Sequence, residues 1–420
     1  MTARRSFLLG LSAALVGLPA GLRAETRSAT PVDLAAVLEA AGPGTVIELA
    51  GGDYGSLAMR GGGGGPQAPL VLRSADPARP ARFARLGLRN VSHMVLEGLV
   101  FDYTFTAGDE SRLRPFQIGA CRAITLRNCL FDGDRASHDG KAAPSPTGFG
   151  LSVRDSDGVT VEGNRIRGFL RGLIVSQSRN VTVRGNEFHG LRSDGMNFAE
   201  VVSVLIEGNL LHDFERPEGT GDHPDMIQFW TNGTNSPTQD VTIRDNVLNV
   251  GQGAWTQSIF MRNEMVDAKG AGRAMFYRNI VIEDNVIVNA HPHGITVGET
   301  LGLAIRNNSV LRNARAAGEG HRPSFWTPRI RVAKTSEDVR ILRNVTASVV
   351  GYEGQRGWQV DGNLLVQDEG RMQPGFYGTV FGAAALSAPE RIESFAPRRG
   401  GPLDGTGIGA ARLRALPLQP

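Results

Sequence analysis

The 420-residue chain is poor in cysteine and lysine and has no long apolar run beyond its N-terminal segment. Its two cysteines, Cys121 and Cys129, are too few for a disulfide scaffold, so we expect both to pack as small buried side chains. Without an apolar stretch of about 18 residues, no membrane span is expected in the mature chain. The glycines after Arg60 are not followed by Gly-Lys-Ser/Thr, which excludes a P-loop of the kind that binds nucleotide phosphates.

An excess of charge is also missing once the N-terminus is set aside. Residues 1–24 contain Arg4 and Arg5, an apolar run and a small-residue exit at Ala24, which predicts an export signal of the twin-arginine type. An ordinary secretory signal is the alternative. Removing its three arginines from the 45 basic residues leaves 42, equal to the 42 acidic ones. We therefore expect a periplasmic or secreted monomer with no nucleic-acid partner.

A repeat of 22 or 23 residues is what the sequence does contain. VTVEGNRIRG (159–168), VTVRGNEFHG (181–190) and VLIEGNLLHD (204–213) share alternating apolar residues, an Asn and a returning apolar residue. The same frame returns through Asn285 and Asn308. A period of this length with strand patterning predicts a β-solenoid. The Asn is expected to stack on its equivalents in successive coils and bond them.

The predicted fold is therefore an all-β, single-domain right-handed parallel β-helix over residues 25–370. Helical spacing in residues 31–42 predicts a short N-terminal helix that caps the open end of the solenoid. The repeat fades near residue 370, which predicts an irregular C-terminal strap over 371–420. Insertions at 133–148, 214–224, 231–240, 263–278 and 313–327 flank one strand of each coil and are expected to form walls around a groove.

A second strand in each coil carries the candidate functional residues. Its second and fourth positions are apolar and point inward, so the positions between them point outward. The position before the strand holds a column that includes Asp194, Asp225, Gln257, His293 and Pro328. Because coils stack about 4.8 Å apart, Asp194 and Asp225 should be neighbours.

These outward columns predict a site. Two carboxylates this close repel, so they must share a proton, bind a cation or act in acid/base chemistry. The structural alternative is that each caps a turn. We predict catalytic roles for Asp194, Asp225, His293 and Arg331, and possible calcium binding by Asp194 and Asp225, with Asp222 as a weaker ligand. The substrate-binding candidates are Asn197, Gln228, Trp230, Arg171, Arg262 and Lys334.

Over about residues 45–365 the repeats resemble the pectin-lyase-like superfamily of right-handed parallel β-helices, which act mostly on polysaccharides. The segment LAAVLEAAGPGTVIELAGGDYG, with PLVLRSADPARPARF after it, is similar to the first coils of the alginate-lyase and chondroitinase B family. That second likeness concerns the scaffold.

The site columns are also similar to the motifs of polygalacturonases, which run Asn-Thr-Asp, Asp-Asp, Gly-His-Gly and Arg-Ile-Lys. Their counterparts here are Arg192-Ser193-Asp194, Pro224-Asp225, Pro292-His293-Gly294 and Arg329-Ile330-Arg331. Arg192, Pro224 and Arg331 depart from those motifs. The coil that holds Gln257 also intervenes before His293, so the activity does not transfer as a whole.

Four functions remain open from the sequence. An exported enzyme that cleaves an acidic, uronate-containing glycan by β-elimination is favoured, because outward arginines could neutralise the uronate and His293 could act as base. Hydrolysis by the paired Asp194 and Asp225 is nearly as well supported. A uronan C5-epimerase would use the same groups, and a non-catalytic polysaccharide-binding β-helix would need none of them.

Overall fold

Alternating apolar side chains fold the chain into coils of three short parallel strands that surround one core. The computed structural model describes residues 25–137, 144–217, 222–253, 255–317 and 323–419. The predicted signal at 1–24 lies outside these residues. The architecture is a right-handed parallel β-helix with few helices, so the predicted fold class is confirmed. No helix in the described ranges is both long and apolar enough to cross a membrane.

The strands form three long parallel sheets, and each coil contributes one strand to each sheet in the order C, A, B. Sheet A contains β1 (Thr26–Ala29), β2 (Val46–Leu49), β5 (Leu70–Ser74), β8 (Ser92–Glu97), β11 (Arg122–Arg127), β16 (Asp157–Glu162), β19 (Arg179–Arg184), β22 (Val202–Glu207), β25 (Gln239–Arg244), β28 (Tyr277–Glu283), β31 (Thr300–Arg306), β34 (Glu337–Leu342) and β37 (Trp358–Asp361).

Sheet B contains β3 (Gly52–Asp53), β6 (Ala81–Phe83), β9 (Val100–Asp102), β12 (Leu130–Asp132), β17 (Arg165–Arg167), β20 (Glu187–His189), β23 (Leu210–His212), β26 (Val247–Asn249), β29 (Val286–Asn289), β32 (Ser309–Arg312), β35 (Val345–Thr346) and β38 (Leu364–Leu365). Sheet C contains β4 (Ser56–Arg60), β7 (Arg85–Arg89), β10 (Phe116–Gly119), β15 (Phe149–Arg154), β18 (Arg171–Ser176), β21 (Met196–Ala199), β24 (Asp225–Phe229), β27 (Gln257–Met261), β30 (His293–Val297), β33 (Arg329–Val332) and β36 (Val349–Val350).

The predicted asparagine ladder runs along the turn between sheets A and B. Asn209 accepts from the backbone N–H of Asn186 at 3.0 Å and donates to Asn246 Oδ1 at 2.9 Å. The residue before each ladder Asn has a left-handed backbone, as at Gly208 (φ 63°) and Asp245 (φ 53°). Gly, Asn and Asp tolerate that conformation best, which explains the recurrent Gly-Asn and Asp-Asn pairs.

Cys129 takes the place of an Asn in this ladder. Its backbone N–H donates to Asn164 Oδ1 at 2.9 Å, and its thiol is buried without a disulfide. Cys121, also free and buried, belongs to a second, shorter ladder between sheets C and A. There its backbone N–H donates to Ser156 Oγ, and the N–H of Ser156 donates to Ser178 Oγ, each at 3.1 Å.

The outer face of sheet A carries a column of charges whose sign alternates at every coil. Ten successive strands present Glu48, Arg73, Glu97, Arg127, Glu162, Arg184, Glu207, Arg244, Glu283 and Arg306 in register. Several neighbours are in direct contact, such as Arg244 and Glu207 at 2.6 Å. Opposite charges on adjacent strands stabilise the sheet, so these arginines serve the fold.

The two ends of the chain cover parts of the solenoid. Helix α1 (Leu34–Glu39) packs Leu34 against the first coils, so the predicted capping helix is present, although it is shorter than residues 31–42. The C-terminal segment has helices α3 (Tyr377–Val380), α4 (Ala384–Ser387) and α5 (Ala411–Arg414), and it packs on the outer face of sheet B. Sheet B is apolar there, at Val247, Val286, Val288, Leu311 and Val345.

Two inserted elements border sheet C. The antiparallel hairpin of β13 (Asp134–Ala136) and β14 (Ser145–Thr147) lies before β15, and helix α2 (Glu264–Asp267) follows β27. Tight turns of 3-10 type occur at Arg273–Met275, Ala314–Ala316, Pro323–Phe325 and Ile392–Phe395. The hairpin and helix α2 lie within the predicted insertions 133–148 and 263–278.

Replacing a central ladder amide is expected to destabilise the solenoid. The variant Asn209→Ala loses its bonds to Asn186 and Asn246 and leaves buried groups of both neighbours without partners, which should cost about 2–4 kcal/mol. Urea unfolding measures the change. The exposed Asn235→Ala is the control and should unfold like the wild type. Equal midpoints for the two variants would contradict a supporting role for the ladder.

Candidate functional site

The outer face of sheet C brings the predicted site residues into columns. Asp194, Asp225, Gln257 and His293 follow one another because β21, β24, β27 and β30 pair in register. The prediction that Pro328 follows His293 in this column is wrong. The register shifts by one residue within β30, so His293 lies opposite Arg329. This irregularity cannot be read from the spacing of apolar residues.

Asp194 is held as an ionised carboxylate by its contacts. The Arg171 guanidinium lies 2.9 Å from its Oδ2, and Asn197 Nδ2 donates to the same oxygen at 3.0 Å. Its Oδ1 accepts from the backbone N–H of Asp225 at 3.1 Å and from the Ser193 hydroxyl at 3.2 Å. Burial raises the pKa of Asp194, and these contacts, Arg171 first, act against that rise.

Asp225 is the neutral partner. Burial raises its pKa well above the ordinary value, and the neighbouring Asp194 carboxylate raises it further. Gln228 Nε2 donates to its Oδ2 at 2.8 Å, whereas its Oδ1 is buried and has no hydrogen-bond partner in the described part of the chain. Burial and the Asp194 charge therefore favour the protonated form of Asp225, whereas the contacts of Asp194 favour its ionised form.

The carboxyl pair does not face an open groove, contrary to the expectation from the sequence. Asp194 is 1% exposed and Asp225 is 0% exposed. Asn197 and Gln228, expected to bind substrate, support the pair instead, and Asn197 Nδ2 also donates to Gln228 Oε1 at 2.6 Å. Outward direction from the sheet did not mean exposure, because the side chains of Arg171, Asn197 and Gln228 pack against the two carboxyl groups.

The pair also does not fit a calcium ion held between two carboxylates. Arg171 already occupies Oδ2 of Asp194, and Oδ1 of Asp194 accepts from Asp225 and Ser193. Asp222, the weaker ligand candidate, is paired with Arg192 at 2.9 Å. No group of three or more His, Cys, Asp or Glu side chains suited to a metal occurs in the described ranges. A hard cation needs several free oxygen ligands, so no chemistry here is derived through calcium.

An open pocket of about 430 Å³ lies further along the same face and collects four other predicted residues. His293 and Arg331 lie on the neighbouring strands β30 and β33, and Arg262 and Lys334 line the same pocket. Phe260 packs edge-on against the His293 ring, with centroids 4.8 Å apart. The candidate site is therefore divided into a closed carboxyl pair and an open histidine pocket.

His293 is neutral over most of the pH range. Burial lowers its pKa to about 4, and the charges of Arg331 and Arg329 contribute to the shift. Its Nδ1 is hydrogen-bonded to Thr296 Oγ1 at 2.8 Å, and Nε2 has no hydrogen-bond partner within the described ranges. A neutral imidazole with a free ring nitrogen at a pocket can take up a proton.

The cations predicted to bind substrate differ in availability. Arg171 is paired with Asp194, Arg262 with Asp267 at 2.9 Å, and Lys334 with Glu353. Arg331 is exposed and has no acidic partner in the described part of the chain. Outward arginines are abundant, but those of sheet A alternate with Glu and pair with it, so they give no support to an acidic substrate.

The positions of several residues near the site were not predicted correctly from the sequence. Trp230 is half-buried and does not line the histidine pocket. Glu299 does line it, and burial raises its pKa. Trp255 stacks on His291 with centroids 5.3 Å apart, and burial lowers the pKa of His291 to about 3. These contacts join residues of different coils, so no local sequence pattern marks them.

The three parallel sheets form a right-handed parallel β-helix, the fold that the resemblance implied. A family profile described as "Right handed beta helix region" matches residues 116–310. No curated protein sequence matches the chain. The comparisons therefore support the fold and leave the reaction open.

Solved structures with this fold are similar over much of the chain. The Dettilon tailspike protein is 12% identical with a TM-score of 0.53, and the match covers 82% of this chain and 63% of the tailspike chain. PfbA, a surface adhesin of Streptococcus pneumoniae, is 12% identical (TM-score 0.45; 64% and 73% covered). An alginate lyase from Paenibacillus sp. str. FPU-7 is 14% identical (TM-score 0.38; 70% and 97% covered). At such identities the likeness concerns the fold alone.

The protonation of the carboxyl pair can be tested by stability. A raised pKa means that folded Asp225 keeps a proton which the unfolded chain releases, so the wild type loses stability as pH rises above about 4. The variant Asp225→Asn does not titrate, and its free energy of unfolding should therefore gain on that of the wild type between pH 4 and pH 8. Urea unfolding at both pH values measures this.

The comparison variant is Asp194→Asn, which leaves Arg171 without its carboxylate. We expect it to lose about 1–3 kcal/mol, less than a fully buried pair would, because the Arg171 side chain is 35% exposed. Equal destabilisation by the two variants at pH 8 would mean that Asp225 is ionised and that the assignment is wrong.

Proposed function

We propose that the protein is an exported enzyme that cleaves an acidic, uronate-containing polysaccharide by β-elimination in the histidine pocket. The observation that carries the proposal is that a neutral His293 and the cation Arg331, which has no acidic partner in the described residues, line the same open pocket. Elimination beside a carboxylate needs that charge neutralised and a base for the proton on C5. Export rests on the signal pattern of residues 1–24.

The proposed reaction uses these two side chains in turn. Arg331 binds the uronate carboxylate through charge-assisted hydrogen bonds, which makes the neighbouring C5 proton more acidic. His293 Nε2 takes that proton, the electron pair forms a C4–C5 double bond, and the bond from C4 to the leaving oxygen breaks. The leaving oxygen takes a proton from water on the open side of the pocket. The bound carboxylate also offsets the Arg331 charge that lowers the His293 pKa.

Hydrolysis by the carboxyl pair is less well supported. An ionised Asp194 beside a protonated Asp225 has the protonation states that acid/base hydrolysis requires. Both carboxyls, however, are closed off from solvent, and Asp194 is neutralised by Arg171. A glycosidic oxygen cannot reach them without displacement of the side chains of Arg171, Asn197 and Gln228. We therefore propose that the pair does not contact the substrate.

The proposal is tested by incubating the mature protein with a panel of acidic polysaccharides. Elimination gives an unsaturated product that absorbs in the ultraviolet. Reducing ends without that absorbance would mean hydrolysis, and exchange of the C5 proton without cleavage would mean epimerisation. Binding without any reaction would leave a polysaccharide-binding β-helix and overturn the proposal.

Variants of His293 and Arg331 should distinguish the role of the general base from that of the neighbouring positive charge. His293→Ala should lower kcat by about 10²–10⁴-fold, because it removes the general base. With pKa about 4, His293 is deprotonated at higher pH, so wild-type kcat/KM should fall as pH drops through about 4. Arg331→Gln should raise the His293 pKa, which NMR titration of the ring measures. The exposed Arg340→Gln is the control; an equal shift in both variants would contradict the coupling.

Calcium is predicted to be dispensable for this reaction. The free oxygen ligands around Asp194 and Asp225 are too few for the ion, and the proposed steps rely on Arg331 for charge neutralisation. Cleavage should therefore keep its initial rate after treatment with a chelator. Loss of activity with the chelator that calcium restores would show that the cation role belongs to a metal.

A further inference from the structure

The first coils of sheet C present arginines without the alternating acids found on sheet A. Arg60 and Arg89 lie directly opposite each other on β4 and β7, and Arg154 occupies the same column two coils further on. Arg114 joins them from the segment before β10. In the described ranges, Arg60, Arg89 and Arg114 have no acidic partner.

This arrangement is costly for the fold. Like charges directly opposite each other on neighbouring strands destabilise a sheet, whereas the column on sheet A avoids that contact at every coil. Charge repulsion between neighbouring coils is therefore avoided on sheet A but remains between Arg60 and Arg89 on sheet C. A negatively charged ligand would remove the repulsion.

The arginines surround an open trough of about 490 Å³ with a low floor. Ala58, Gly87 and Gly119 line this floor, and a Cβ added at either glycine would meet no atom within 4 Å. Small residues thus leave space above the strands where the long arginine side chains can converge on a ligand.

The trough offers hydrogen-bond donors beside the charges. The Ser152 hydroxyl is buried at its edge, with 6% of the residue exposed, and it has no partner in the described part of the chain. Asp155 is the one acid among the lining residues and lies 3.3 Å from Arg154. The lining therefore keeps an excess of three positive charges and an unsatisfied hydroxyl, a set suited to oxyanions.

We propose that this arginine trough is a second binding site, for an acidic glycan chain whose negative groups recur at the spacing of one or two coils. That spacing is about 5 or 10 Å. The trough lies six coils from the pocket, from Arg154 on β15 to Arg331 on β33, or about 29 Å along the solenoid. Only a polymer can occupy both, so the trough holds substrate far from the reacting sugar. This inference rests on the proposed function for the choice of a glycan.

The test is the affinity of full-length mature protein for a polyuronate, measured at low salt in the non-cleaving His293→Ala background. Arg60→Gln with Arg89→Gln should weaken binding at least about tenfold and reduce the slope of log affinity against log salt by about one per arginine. The matched control is Arg356→Gln with Arg371→Gln, two exposed arginines outside the trough with the same change in net charge.

Three ligands distinguish the possible sources of negative charge. A polyuronate and a dextran sulfate report carboxylate and sulfate groups, and a single-stranded oligonucleotide reports any polyanion. Weaker binding of either acidic glycan in the trough variant alone supports the proposal and identifies the preferred group. Equal loss in trough and control variants, no glycan binding by the parent, or tighter binding of the oligonucleotide than of either glycan overturns it.

The result is separable from the proposed reaction. With intact His293, the trough variant should cleave short uronate oligomers like the wild type, because these fill only the pocket. Loss of polymer binding in a protein that never forms unsaturated product would support the trough and refute the elimination. If the wild type forms unsaturated product but the trough variant binds the polymer as well as its parent, the elimination is supported and the trough is refuted.

Discussion

Stacking at one coil spacing is the constraint on which this molecule depends. Every outward or turn position faces its own equivalent about 4.8 Å above and below, so each column must be compatible with itself. An amide satisfies this condition because it donates on one side and accepts on the other, as Asn209 does between Asn186 and Asn246. A charged side chain does not, and the column on sheet A meets the constraint by alternating Glu with Arg.

Two departures from that alternation lie on sheet C, and the repulsion is relieved differently in each. Asp194 and Asp225 stack as like charges in a closed environment, so one carboxyl keeps a proton and Arg171 neutralises the other. Arg60 and Arg89 stack as like charges in the open, and a guanidinium cannot release its proton in this pH range. Solvent and a bound anion are the remaining sources of relief.

The coil and its register could be predicted from the sequence, because both depend on a short, repeated pattern. The period placed the asparagine ladder, the inward apolar positions and the contact between Asp194 and Asp225. It could not show that the pair is closed off from solvent, because the exposure of an outward position depends on side-chain contacts that the period does not contain. The shift at His293 and the pairing of Arg262 with Asp267 also depend on local backbone and loop geometry that the period does not contain.

The buried carboxyl pair and the two open regions form one electrostatic design along sheet C. Between the arginine trough and the histidine pocket, the face would carry a net negative centre if both aspartates were ionised. Arg171 cancels the charge of Asp194, and the retained proton cancels that of Asp225. An acidic chain that spans the trough and the pocket would then meet no net negative charge at this pair. On this view, the pair need not touch the substrate: its protonation keeps the path between the two sites free of repulsion.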